Sequence, residues 1–178
     1  STSLLAPPYP FPRMIYHALA VIGADARIQC ERRGCDPRFV IAPIGSGGFA
    51  AGLFGAYIED IERQRIGVQA GGEPQKGKNS ASLLTGGIGV FLGTMTNVLQ
   101  DSEGLVRAPY SIAGGLCCEA GGPQHALWAA QGNIMVVSIN DTEALAARDM
   151  VARHEGLIVS LAPAHAVSYA LKLMPTLE

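Results

Sequence analysis

The stretch "RFVIAPIGSGGFAAGLFGAYIEDIERQRIGVQA" (38–70) constrains the fold more than any other part of the chain. Its first part, "RFVIAPIG" (38–45), is a short apolar run closed by glycines, which predicts a buried strand. "FAAGLFGAYIEDIE" (49–62) then carries helical spacing through Leu53, Phe54, Tyr57 and Ile61, and "RIGVQA" (65–70) predicts the next strand. Strand, glycine turn, helix, strand is a βαβ unit, so the two strands pair in parallel through a right-handed crossover. Units of this kind belong to α/β folds. The fold expected is a mostly parallel sheet with helices on both faces, in three αβα layers.

The rest of the chain fits around this unit. "LLAPPYPFP" is proline-punctuated and predicts an extended arm over 1–12, ahead of a single domain over 13–178. A helix is expected over 13–30, with Met14, Ala18, Val21 and Ile22 on one face. The glycine-rich middle, 71–110, predicts a loop and a hairpin around "GVFLGTMTNVLQDSEG". Pro123 starts a helix in "PQHALWAAQ", and "NIMVVSI" (133–139) is a strand. Asn140 and Glu143 form a capping box before a helix over 141–154. "GLIVSL" (156–161) reads as a strand and 164–174 as a last short helix.

Charged residues make up only 16% of the 178 and hydrophobic ones 48%, with mean hydropathy +0.23. The charged share in soluble domains is roughly 25%, so the surface has an unusually large apolar part. No run reaches the ~20 apolar residues of a membrane helix, which favours a protein interface over insertion. The partners expected are other protein chains, in a hetero-assembly or homo-oligomer. A net charge of −2 with no basic block gives nucleic acid no electrostatic foothold.

Cys30, Cys35, Cys117 and Cys118 lack the spacing of a four-ligand zinc site, and the vicinal pair Cys117 and Cys118 reads as small buried hydrophobes. Nothing in them demands an oxidising compartment. An intracellular location is expected, with an organelle open if Ser1 follows a cleaved targeting sequence. Simple Met removal or proteolysis would leave the same start.

"IGSGGFAAG" (44–52) is the candidate binding loop. Glycines between a strand and a helix let backbone N–H groups approach a phosphate. Neither a Walker sequence nor Gly-x-Gly-x-x-Gly is present, since Ala50 stands where the third glycine would be. A tight turn that binds nothing fits these residues as well. His125, His154 and His165 lack a nucleophile setting and read as hydrogen-bonded structural residues. Asp141 and Glu143 suit a helix N-terminus. None of Lys76, Lys78 and Lys172 has the apolar setting that would activate an amine.

Longer matches point to a family. "APPYP", "FVIAPIGSGGFAAGLFGAYIED", "IGVQAGG", "YSIAGGL", "GGPQHA", "VSINDTEAL", "RHEGLI" and "HAVSYALKLM" occur in one order from roughly residue 6 to 173. In this order they resemble the C-terminal half of the tryptophan synthase β-subunit family, pyridoxal-phosphate enzymes of fold type II. The resemblance implies a phosphate loop at Gly45, Ser46, Gly47 and Gly48. Gly48 and Phe49 replace the Ser-Asn pair that helps hold phosphate in the family.

Cys117 stands where the family has a catalytic aspartate, and Ala162 where it has a glutamate. The Schiff-base lysine belongs to the family's N-terminal half, and the partner of the ring nitrogen would fall beyond Glu178. Lysine, acids and ring partner carry the chemistry of such an enzyme. The expectation is therefore a non-catalytic domain, with no cofactor, serving as a structural or accessory subunit. The alternatives are half of a split or proteolysed pyridoxal-phosphate lyase whose lysine comes from another chain, and a small-molecule sensor built on the loop.

Overall fold

The computed structural model describes Leu4 and residues 9–177, so most of the expected arm lies outside the described residues. Three parallel strands form the central sheet, β1 (Phe39–Pro43), β2 (Gln64–Gly72) and β5 (Met135–Asn140), in the order β1-β2-β5. Phe39 pairs with Gln64 and Val68 with Val137, which fixes the register on both sides of β2. Helices α1 (Phe11–Arg32), α2 (Gly48–Gly55) and α4 (Pro123–Ala130) cover one face. Helices α5 (Asp141–Glu155) and α6 (Leu161–Leu173) cover the other. The expected three-layer arrangement is present.

Strand periodicity sorts the core. Along β1, Val40 and Ala42 point to the α1–α2 side with Phe54 and Trp128, while Phe39 and Ile41 pack towards α6. β2 is buried from Ile66 to Gly72, as befits the middle strand. Its one buried polar side chain, Gln69, accepts from Leu83 N at 2.9 Å and donates to Ser82 Oγ at 3.4 Å. That pair ties the short helix α3 (Ser82–Thr85) to the sheet. Leu4, from the expected arm, is buried in the α1–α2 cluster.

Between α3 and α4 lies the expected hairpin, β3 (Gly87–Phe91) and β4 (Thr94–Val98), with Val90 opposite Met95. Its outer face carries Ile88, Val90 and Met95, each more than 70% exposed. The two turn residues, Leu92 and Gly93, have φ of 50° and 79°, the pattern of a tight primed turn. Leucine is a poor choice there, because a left-handed conformation crowds its Cβ. Leu92→Asn is expected to raise stability by about 0.5–1 kcal/mol, read as a higher urea midpoint at unchanged slope.

Three sequence expectations need correction. Helix α1 begins at Phe11, inside the expected arm, and buries a different face from the one its large side chains suggest. Met14 and Val21 are 60% and 65% exposed, while Gly23 is buried and Ile15 and Tyr16 pack inward. Gly23 meets Gly52 of α2, where a methyl on either residue would come within 2.5 Å of a backbone carbonyl oxygen. Close backbone approach, rather than side-chain bulk, chooses the face.

Helix α2 stops at Gly55 instead of running to 62, and Ile61 is 95% exposed. The carbonyls of the turn that follows are gathered by Arg65, which donates to the oxygens of Tyr57 (3.0 Å), Asp60 and Asn133 (2.8 Å). Segment 156–161 is not a strand. Gly156, at φ 67°, ends α5 in the left-handed cap position, and the chain passes directly into α6. Leu157 and Ile158 are 60% and 82% exposed there, with no strand to pair against.

Candidate functional site

The glycine loop lies at the C-terminal end of β1, where ligands of open α/β sheets bind. Gly47, the residue before α2, has φ 94°, a conformation that only glycine adopts without strain. Gly45 packs so tightly on the 114–116 turn that a Cβ there would sit 2.4 Å from Gly115 O. The loop opens into a cleft of about 310 Å³ lined by Gly45, Ser46, Gly47 and Gly48 together with Phe49, Leu116, Ala162 and Pro163. The fold thus brings the expected loop residues and Ala162 into one place.

Cys117 follows Leu116, but its thiol is turned to the backbone and donates to Ser111 O at 3.2 Å. Cys118 is half-buried, and desolvation raises its pKa to about 11, with Glu119 and Cys117 adding to the shift. That thiol is protonated at neutral pH and is no nucleophile.

A histidine anchors the loop. His125, in α4, is fully buried and donates from Nε2 to Gly47 O at 2.8 Å. Phe54 and Trp128 meet its ring edge-on at 6.3 and 5.5 Å between centroids. Burial lowers its pKa to about 4, against which the Gly47 bond pulls weakly upward. The imidazole is therefore neutral, and its Nδ1 has no partner among the described residues. This is the structural role expected of it. His154 is exposed at the end of α5.

The floor of the cleft is latched from the opposite side. Asp141, at the start of α5, accepts from Ser111 Oγ (2.8 Å) and Ile112 N (3.1 Å). His165 in α6 donates from Nδ1 to Leu161 O at 2.7 Å, and its Nε2 stands 3.7 Å from Asp141. Serine, aspartate and histidine meet here without forming a nucleophile, because Ser111 donates to the carboxylate and not to the imidazole. The capping box also forms: Glu143 N donates to Asn140 Oδ1 at 2.9 Å, and Asn140 N to Glu143 Oε2. Only a dipole role for Asp141 is readable from its own neighbourhood. Its grip on 111–112 leaves no local sequence signal, since the partners lie 30 and 29 residues away.

Chemically the cleft can offer backbone N–H groups, the Ser46 hydroxyl and apolar walls. Among the described residues, no ionisable side chain lines it. Lys76 pairs with Glu73, Lys172 with Glu143, and Lys78 lies over the Tyr110 ring, so none of the three lysines reaches it. The lining suits an anion at the loop. It does not fit a reacting pyridoxal ring, which needs an amine and a group at the ring nitrogen. No cluster of three or more metal-ligating side chains occurs among the described residues, and no helix among them is long and apolar enough to cross a membrane.

No family model matches the sequence. The fold is similar to that of a threonine deaminase from T.th., with a TM-score of 0.64 and 20% sequence identity over 88% of this chain. The chain spans 50% of that protein's length. The likeness is one of fold: an α/β arrangement resembling part of that threonine deaminase.

Proposed function

We propose that this chain is a non-catalytic, tryptophan-synthase-β-like domain that serves as a structural or accessory subunit of a larger protein assembly. The observation that carries the reading is the lining of the glycine-loop cleft, which among the described residues contains no amine, carboxylate or imidazole. The tryptophan synthase resemblance adds two positions, Cys117 and Ala162, where the family has acidic groups. One is a thiol bound to a carbonyl, and the other a methyl packed beside Leu116. Proton transfer in such an enzyme needs groups that ionise near neutrality. Fold kinship does not supply them.

The assembly part of the proposal is supported by the apolar surface. Met14, Val21, Ile88, Val90, Met95 and Ile158 are all at least 60% exposed. Ile88, Val90 and Met95 share one face of the β3–β4 hairpin, the kind of apolar patch that a partner chain covers. A second reading, half of a split pyridoxal-phosphate lyase, draws on the open cradle formed by Gly45–Gly48. In that case a partner chain would bring the lysine into this cleft.

Native mass spectrometry on the protein from its own source, before and after borohydride, separates the two. The expected result is a hetero-assembly or homo-oligomer with no reducible pyridoxal adduct. A complex whose partner chain carries a borohydride-trapped pyridoxal group would overturn the proposal.

A further inference from the structure

A second cavity, sharing no residue with the glycine-loop cleft, opens between the N-terminal ends of α1 and α4 and the start of β4. Its volume is about 580 Å³, within the roughly 300–1,000 Å³ of small-molecule sites. Tyr16 and Leu127 form apolar walls and Tyr9 stands at the rim. The Tyr16 ring is held in place: it meets Trp128 edge-on at 6.2 Å, and its phenol lies against Gly55, where a Cβ would come within 2.5 Å of the hydroxyl. A fixed aromatic wall provides contact area without the cost of ordering a mobile side chain.

Arg13 brings a permanent positive charge to the lining of the cavity. Arg13 Nε donates to His17 Nε2 at 3.4 Å. The two terminal nitrogens of Arg13 meet no acceptor among the described residues, and no carboxylate pairs with this guanidinium there. Gln124 adds an amide, and among the described residues neither aspartate nor glutamate lines the cavity. One planar cation beside an aromatic wall selects for a flat ligand with a single negative charge. We propose that this cavity binds a small planar aromatic carboxylate, its acid group on Arg13 and its ring against Tyr16 and Leu127.

Naphthoate serves as the probe, titrated into the full chain by calorimetry and by amide-shift mapping. Saturable binding with shifts at the start of α1 and of α4 is expected. Arg13→Gln should weaken it about tenfold, the ~1.4 kcal/mol of a charge-assisted contact. Leu127→Trp, at a position already 52% exposed, should fill the cavity and abolish binding while the fold survives. Naphthamide, the neutral analogue, should bind the native chain as weakly as naphthoate binds Arg13→Gln. Absence of saturation, equal affinity of the two probes, an unaffected Arg13→Gln variant or shifts confined to the glycine loop would each overturn the assignment.

Discussion

Gly52→Ala is expected to destabilise the chain by about 2–3 kcal/mol, although alanine is the better helix former by ~1 kcal/mol. The added methyl would stand 2.3 Å from Leu19 O and 2.9 Å from Leu19 Cβ, both on the facing helix. Neither atom can move alone, so α1 and α2 would have to separate and loosen the contacts of Tyr16, Phe54 and Tyr57. Interiors packed at crystal density do not absorb such a shift locally. For a domain of ordinary stability, ~5–15 kcal/mol, this is a large share of the total. Gly114→Ala, where a methyl would meet nothing within 4 Å, is the control and should be near neutral. Urea unfolding of the two variants decides the matter. Equal midpoints would show that the helices are free to adjust.

The second large effect is on the acid side. The pKa of His125 is lowered from 6.5 to about 4 by burial, so the unfolded chain binds its proton more tightly than the folded one. A depressed pKa of this kind gives stability that is complete above about pH 6.5 and falls as pH drops towards 4. At ~1.36 kcal/mol per unit, the loss across that window is about 3 kcal/mol. His125→Gln keeps an N–H for Gly47 O and removes the titration. The variant is expected to lose clearly less stability than the native chain between about pH 7 and about pH 4.5, by denaturant unfolding at each pH. Parallel loss in both proteins would mean that the imidazole protonates without disturbing the loop.

How much of the fold is legible in the chain follows from how far apart the interacting groups lie. The β1–α2–β2 unit, the β3–β4 hairpin and the Asn140–Glu143 capping box are local arrangements, and each leaves its pattern within a few residues. The buried face of α1 escapes a search for large side chains, because Gly23 leads the contact. The apolar run at 157–161 has the look of a strand, yet periodicity alone cannot say whether a neighbouring strand exists.

The site divides in the same way. The glycine loop can be read from its own residues, and Ala162 comes into view only through the family resemblance. That His125 grips Gly47 across 78 residues cannot be read from either segment. The second cavity likewise gathers Arg13 and Tyr16 of α1, Leu127 of α4 and Thr94 of β4, which are distant in sequence.

The hairpin has a practical consequence for anyone handling this chain. Ile88 and Val90 on one strand, with Met95 on the other, turn an oily ribbon towards water while the opposite side packs on Ala120. Segment 119–121 bridges the end of β4, which leaves the outer edge of β3 as the one for further pairing among the described residues. Association through this ribbon is therefore expected to rise with concentration and to limit how far the isolated polypeptide stays dispersed. A charged residue at position 90 would widen that limit without touching the sheet, either cavity or the glycine crossing that holds the first two helices together.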